Sequence, residues 1–145
     1  MKVLVKKLCE KANIPEYKTL GSSGFDISAC LDESIILAPQ SVTMVKTGLS
    51  LELPEGFEAQ VRSRSGLALK NGVFVLNSPG TIDNDYRGEL CVILANFSSE
   101  PFTIEHGMRI AQVIVARYQQ FPLEIVQELT ETQRGSGGFG STGLR

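Results

Sequence analysis

Short apolar runs separated by turn residues recur along this 145-residue chain. Its six prolines fall at or beside the ends of these runs, where a missing N–H group does least harm to a sheet. No segment keeps a convincing helical period over three turns. Many short strands with turns at roughly 8 to 12 residue spacing predict an all-β sandwich or barrel. We predict strands at residues 3–5, 25–30, 34–37, 42–46, 49–53, 58–62, 73–77, 89–96, 102–104, 110–116 and 123–129.

One short helix is predicted at residues 65–71, with Ser65 as its N-cap and Gly72 just beyond its end. The hydrophobic share of 42% and the charged share of 21% are those of an ordinary globular protein. We therefore expect a single β domain over residues 1–131, followed by a glycine-rich C-terminal tail over residues 132–145.

The charge balance and the cysteine count exclude several functional classes. A net charge of −2 gives no basic face for nucleic acid, and no apolar run is long enough to span a membrane. Cys9, Cys30 and Cys91 are an odd set without metal-ligand spacing, so we interpret them as buried, reduced thiols. His106 is the only histidine and is interpreted as a solvated turn residue. We expect an unsecreted, cytoplasmic protein, with the nucleus not excluded.

Residues 80–88 form an acidic turn between two of the most apolar runs of the chain. The pattern predicts a hairpin tip, because β-forming runs flank it on both sides. Turn geometry explains Asn84, Asp85 and Gly88, which tolerate a left-handed backbone. It does not explain Asp83 and Tyr86. The segment is either a plain polar turn or a hairpin that carries chemistry.

Three further segments have both a structural and a functional interpretation. Residues 21–27 place a turn before a strand that carries Asp26, which is either a solvent-facing position or a site residue. Residues 62–66 end a strand and open the short helix, as a solvated basic strand end or as a phosphate cradle around Arg64. Gln112 interrupts an apolar run, so it is either a satisfied structural amide or a ligand contact.

The tail is glycine-rich but also carries Arg134 and Phe139. A disordered tail is the default for such a composition. A lid that orders over an anionic, aromatic ligand would need both of these side chains. The sequence leaves both interpretations open at this point.

Taken together and in their order along the chain, the five segments resemble the five motifs of the trimeric deoxyuridine triphosphatases, the dUTPases. The match runs from Gly21 to Gly143. The resemblance implies a jelly-roll-like β fold, a homotrimer with shared active sites, and magnesium-dependent hydrolysis of dUTP to dUMP and pyrophosphate. That reaction supplies dUMP for thymidylate synthesis and keeps uracil out of DNA.

The resemblance also implies roles for the hairpin. Asp83 matches the aspartate that orients and deprotonates the water attacking the α-phosphorus, and Tyr86 matches the ring that lies against deoxyribose and leaves no room for a 2′-hydroxyl. The uracil pocket is implied at Asn77, Gly80, Thr81, Ile82, Asp83 and Cys91.

The remaining motifs are implied to hold the triphosphate. Arg64, Ser65, Gly66 and Gln112 resemble phosphate contacts, and Arg64 is similar to an arginine that lies near the catalytic aspartate. Arg134 matches a γ-phosphate contact and Phe139 a ring that stacks on uracil. Magnesium is implied to be held by phosphates and waters without a direct protein ligand, and Asp26 to contact it through water.

The chain departs from the family pattern at Ser63, where proline is common, at Thr81, where a larger aliphatic residue is common, and at Ser141-Thr142 in the tail. These departures concern the local backbone and the fit of the tail. Two alternatives stay open: a dCTP deaminase of the same fold, possibly bifunctional, and a non-enzymatic jelly-roll module.

Overall fold

The computed structural model of the protein describes residues 1–138. Within these residues the backbone forms eleven strands and one short helix, so the all-β prediction is confirmed. In chain order the elements are β1 (Leu4–Lys7), β2 (Gly24–Ser28), β3 (Ile35–Leu37), β4 (Val42–Lys46), β5 (Leu49–Glu52), β6 (Phe57–Arg62), α1 (Ser65–Asn71), β7 (Val73–Val75), β8 (Gly80–Ile82), β9 (Cys91–Asn96), β10 (Phe102–Ile104) and β11 (Arg109–Arg117).

The strands pair antiparallel in four sheets. The largest has the order β2–β11–β6–β8, and a second has the order β4–β9–β7. Two strand pairs, β1 with β5 and β3 with β10, complete the arrangement in this part of the chain. Long strand β11 lies between β2 and β6, so it joins segments that are far apart in sequence.

The core is built from the inward-facing residues of both larger sheets. Strand β2 alternates half-buried and buried positions, which is the period expected when one face of a strand packs inward. Phe25 and Val61 of the first sheet belong to the same buried cluster as Val45, Val75 and Leu94 of the second. The inner face of the first sheet is therefore held by the core, which fixes the strands that carry candidate site residues.

The predicted hairpin is confirmed as a strand pair but is longer than expected at its tip. Strands β7 and β9 pair with Val75 opposite Leu94. The connection between them contains β8, which was not predicted and which pairs with β6 of the other sheet. The tip therefore bridges both sheets.

Two further expectations were wrong. Residues 123–129 form no strand and are fully or largely exposed, because no strand in residues 1–138 pairs with this segment to bury its β-forming side chains. Arg64, not Ser65, occupies the N-cap position of α1, and its side chain makes no capping hydrogen bond. Gly72 ends the helix with a φ of 65°, as predicted.

The thiols are free, but only Cys30 is buried; Cys9 and Cys91 are partly exposed. In the described part of the chain, no helix combines the length and the apolarity that crossing a membrane would require.

Candidate active site

Strand β8 is an edge strand that holds the start of the acidic tip in place. Gly80 lies opposite Val61 and Ile82 lies opposite Ala59 of β6. Gly80 is buried, and a Cβ atom there would meet the amide nitrogen of Asn77 at 3.0 Å. The absence of a side chain at position 80 thus lets the Asn77 amide approach the strand.

Beside β8 lies a cleft of about 480 Å³. It brings together five of the residues that the sequence assigned to the base and sugar: Thr81, Ile82, Asp83, Tyr86 and Cys91. Its remaining lining residues are Met44, Lys46, Glu89 and Ile93.

The Cys91 thiol is neutral in this cleft. Burial raises its pKa above the ordinary value, and the nearby Glu89 carboxylate raises it further. Cys91 therefore presents the cleft with a weakly polar thiol and no charge.

The Tyr86 ring is held by its own turn. Its hydroxyl donates to the carbonyl of Glu89 at 3.1 Å, and its backbone N–H donates to the carbonyl of Asp83 at 3.2 Å. A Cβ atom at Gly88 would lie 2.3 Å from the Tyr86 hydroxyl oxygen. Only glycine at position 88 leaves room for the ring in this position.

A second group of site residues surrounds Asp26 on β2. One carboxylate oxygen accepts from Arg64 Nε at 3.0 Å, and the other accepts from Arg109 Nη1 at 2.9 Å. Arg64 Nη1 also donates to the carbonyl of Arg109 at 3.0 Å. Asp26 and Arg64 keep only 20% and 25% of their side-chain surface exposed, so these charge-assisted bonds are partly shielded from water. Two arginines therefore fix one carboxylate, and the carboxylate fixes both guanidinium groups.

Strand register explains why these residues meet. Gln112 of β11 lies opposite Asp26 on one side and opposite Arg62 on the other. Its side-chain amide donates to the carbonyl of Ser63 at 2.9 Å, and the Ser63 hydroxyl accepts from the backbone N–H of Val75 at 2.9 Å. Gln112 thus has a structural partner for its side-chain nitrogen.

Ser65 and Gly66 open α1 directly after Arg64, and both are exposed. A Cβ atom at Gly66 would meet nothing within 4 Å, so the surface above the residue is open. Ser65 and Gly66 therefore lie side by side on an open surface, next to the half-buried Arg64.

The hairpin group and the Asp26 group lie at opposite ends of β6 in one chain. Asp83 follows Ile82, which pairs with Ala59, and it borders a depression shared with Glu58. Glu58 and Arg62 are about 13 Å apart at the usual rise of a strand, and Arg64 lies beyond Arg62. Within one chain, Arg64 therefore does not lie near Asp83, although the resemblance implied that it would.

In the described residues, the tail that follows β11 is largely exposed. Arg134 is exposed, and its Nε donates to the carbonyl of Gly137 at 2.9 Å within its own turn. Phe139, together with Ser141 and Thr142, lies outside the described residues. The structure thus places one of the two predicted lid side chains, and it lies in a local turn.

Arg109 is the residue that sequence reasoning missed. It stands at the start of β11, beside a bulge between Arg109 and Ala111. Its only sequence signal was its position at the start of the apolar run that carries Gln112. Its partner Asp26 is 83 positions away in sequence, so no local pattern connects the two residues.

Comparison with known proteins decides the family. Residues 10–143 match the dUTPase family model. This chain belongs to the dUTPase family. A deoxyuridine 5′-triphosphate nucleotidohydrolase from Treponema denticola is 56% identical over 138 residues, covering 95% of this chain and 96% of the relative. One from Hydrogenobaculum sp. is 54% identical over 145 residues, covering 100% of both.

A solved structure of the Staphylococcus bacteriophage 80alpha dUTPase with dUPNHPP matches the fold with a TM-score of 0.86 and 27% identity, covering 99% of each chain. The resemblance drawn from the five motifs is confirmed, and so is the jelly-roll fold. The dCTP deaminase and the non-enzymatic module are not favoured, because both curated relatives are named as dUTP nucleotidohydrolases.

Proposed function

We propose that this protein hydrolyses dUTP to dUMP and pyrophosphate. The observation that carries the proposal is the cleft beside β8, where Asp83, Tyr86 and Cys91 meet in a chain of the dUTPase family. The phage dUTPase of similar fold was solved with dUPNHPP, an imido analogue of dUTP, which supports the same class of ligand here.

Base selection rests on the main chain of β8. As an edge strand, β8 pairs with β6 on one side only, which leaves peptide groups on its other side for a ligand. Uracil presents an acceptor-donor-acceptor edge that fixed peptide groups can match, whereas cytosine would leave some of them unpaired. Asn77, held against Gly80, adds an amide to the same edge.

Sugar selection rests on Tyr86. Its ring, held by the bond to Glu89, packs against deoxyribose and occupies the space that a 2′-hydroxyl would need. Phe139 stacks on the uracil when the tail closes.

Asp83 activates the water. Its carboxylate accepts the proton of a water molecule, whose oxygen attacks the α-phosphorus in line with the leaving group. The bond from the α-phosphorus to the bridging oxygen breaks, and pyrophosphate leaves. Arg64, Ser65, Gly66, Gln112 and Arg134 bind the phosphates and stabilise the charge that develops on them.

The donor set fits a magnesium ion that arrives with the nucleotide. Both oxygens of Asp26 are engaged by arginines, and residues 1–138 contain no group of three histidine, cysteine, aspartate or glutamate side chains that could hold a metal. Mg²⁺ commonly keeps waters and binds substrate phosphates, so Asp26 would contact such an ion through water rather than as a direct ligand. When bound, it neutralises phosphate charge.

Each active site is assembled from different chains of a homotrimer. Asp83 and Arg64 lie at opposite ends of β6, and a head-to-tail ring of three chains would bring the Arg64 of one chain to the Asp83 of another. Arg134 lies in an exposed segment that follows the last strand, as a tail that serves another chain would.

Subunit sharing can be tested with two inactive proteins. Asp83→Asn removes the base, and a chain truncated before Arg134 removes the tail. Mixed in equal amounts, denatured and reassembled, they should recover about a quarter of all sites, because each site takes its hairpin and its tail at random from the two kinds of chain. Heterotrimers verified by native mass spectrometry but without activity would show that each site is built within one chain.

The activity itself is tested by pyrophosphate release from dUTP, dTTP, dCTP and UTP at equal concentrations. We expect turnover of dUTP alone, because the cytosine amino group conflicts with the peptide groups of β8, the ribose 2′-hydroxyl conflicts with Tyr86, and a tight hairpin has no space for the thymine methyl. Ammonia release from dCTP, or equal turnover of dUTP and UTP, would contradict the assignment.

A further inference from the structure

Cys9 and Cys30, which have no place in the proposed reaction, lie in one small buried cluster with Ala12 and Leu49. Cys9 is in the turn after β1, and Cys30 follows β2 by two residues. Cys30 is 9% exposed, whereas Cys9 is partly exposed. One thiol is therefore open to a small reagent while the other is sheltered behind it.

Backbone hydrogen bonds hold the segments that carry Cys9 and Cys30 close to residues 46–48. The backbone N–H of Leu8 donates to the carbonyl of Gly48 at 2.7 Å, and that of Cys30 donates to the carbonyl of Lys46 at 2.8 Å. Leu8, the neighbour of Cys9, and Cys30 are thus both bonded to residues 46–48. A Cβ atom at Gly48 would lie 2.9 Å from the Cys30 sulfur, so the turn itself packs against the thiol.

Lys11 adds a third connection. Its ammonium group donates to the carbonyl of Leu31 at 2.8 Å and pairs with Asp32. The turn that carries Cys9 is therefore anchored directly to the segment that carries Cys30.

The two thiols differ in their chemistry. The neighbouring Cys30 thiol, followed by the backbone N–H and the charge of Lys11, holds the pKa of Cys9 below its ordinary value. Burial raises the pKa of Cys30, and so does the neighbouring Cys9 thiol. A partly exposed thiol with a lowered pKa is the reactive member of such a pair, because the thiolate is the nucleophile.

We propose that Cys9 and Cys30 form a reversible intrachain disulfide when the protein meets hydrogen peroxide, with Cys9 as the attacking thiol and Cys30 as the resolving thiol. The Cys9 thiolate attacks a peroxide oxygen, the O–O bond breaks, and the hydroxide released takes a proton to form water. The Cys30 sulfur then attacks the Cys9 sulfenic acid, the S–O bond breaks, and the hydroxyl group leaves with the Cys30 proton as a second water.

The two thiols lose two electrons, which reduce one peroxide to two waters. The crosslink joins the turn after β1 to the segment that leads out of β2, the strand that carries Asp26.

The test is a brief exposure of the intact folded protein to hydrogen peroxide, followed by alkylation of free thiols and mass spectrometry. The wild-type chain should lose the mass of two hydrogen atoms, yield a peptide pair linked through Cys9 and Cys30, and keep Cys91 open to alkylation. Dithiothreitol should restore all three thiols. The Cys91→Ser variant is the matched control and should form the same crosslink.

Two variants separate the roles of the pair. Cys9→Ser should form no disulfide, and Cys30→Ala should accumulate a sulfenic acid on Cys9 that dimedone traps. Oxidation of wild-type Cys9 to the sulfinic acid with Cys30 still free would overturn the proposal. So would a crosslink that forms only in urea, because it would then owe nothing to the native arrangement.

Discussion

Replacing Gly88 by alanine tests whether the position of the Tyr86 ring sets sugar discrimination. A Cβ atom at position 88 would lie 2.3 Å from the Tyr86 hydroxyl oxygen and 2.5 Å from Cζ, whereas ordinary contact begins at 3.4 Å. The ring must therefore move by about 1 Å. Tyr86 is 46% exposed, so the ring can move outward while the core stays intact.

The cost to folding should be small and the cost to catalysis large. Losing the hydrogen bond from Tyr86 to the Glu89 carbonyl lowers the free energy of unfolding by about 1 kcal/mol, measurable by urea denaturation. A displacement of this size in a substrate-positioning group lowers kcat/KM for dUTP by about 100-fold. The preference for dUTP over UTP should also fall, because the ring no longer fills the space of the 2′-hydroxyl.

Two controls make the assay decisive. Gly21→Ala adds the same methyl group where nothing lies within 4 Å, so it should leave both nucleotide rates unchanged. Tyr86→Phe keeps the ring but removes the hydrogen bond to Glu89, and it should have a smaller effect than Gly88→Ala. A folded Gly88→Ala protein with wild-type kcat/KM for dUTP and UTP would refute the reasoning.

Three further changes address the remaining parts of the site. Asp83→Asn should lower kcat at least about 100-fold with little change in nucleotide affinity, since the positioning groups remain; near-normal turnover would remove Asp83 from the mechanism. Arg109→Ala should lower kcat/KM for dUTP about tenfold, because Asp26 keeps its bond to Arg64 but loses the second one; an unchanged value would make Arg109 purely structural. Phe139→Trp supplies the only indole, whose emission should change when dUPNHPP and magnesium bind; an unchanged spectrum at saturation would mean that the tail does not cover the base.

Local sequence patterns predicted those strands whose partners bury one face. Residues 42–46 and 102–104 have the predicted bounds, and both contribute buried or half-buried apolar residues to strand pairs. Residues 123–129 have the same kind of composition but no partner in the described chain, so the same propensity produced a wrong prediction there. Strand β8 was missed for the opposite reason: Gly80 is a poor strand former, and pairing with β6 overrides that preference.

Sequence patterns suggested candidate residues for the site but not their arrangement. Five motifs identified the hairpin, the basic junction and the tail, because each needs unusual residue types in a short stretch. The bond between Arg109 and Asp26 depends on β11 lying beside β2, which no local pattern reveals. The separation of Asp83 from Arg64 likewise follows from the antiparallel register of β6 and β8.

Strand β8 also bears on how this protein can evolve. If its peptide groups select the base, the selecting atoms are the same whatever side chain stands at Thr81, which is exposed. Single substitutions there should be nearly neutral for base choice. A one-residue insertion between Gly80 and Ile82 would shift the pairing with Val61 and Ala59 and exchange the two faces of the strand. A change of nucleobase in this lineage is therefore expected to require changes in chain length at β8 before changes in side chains.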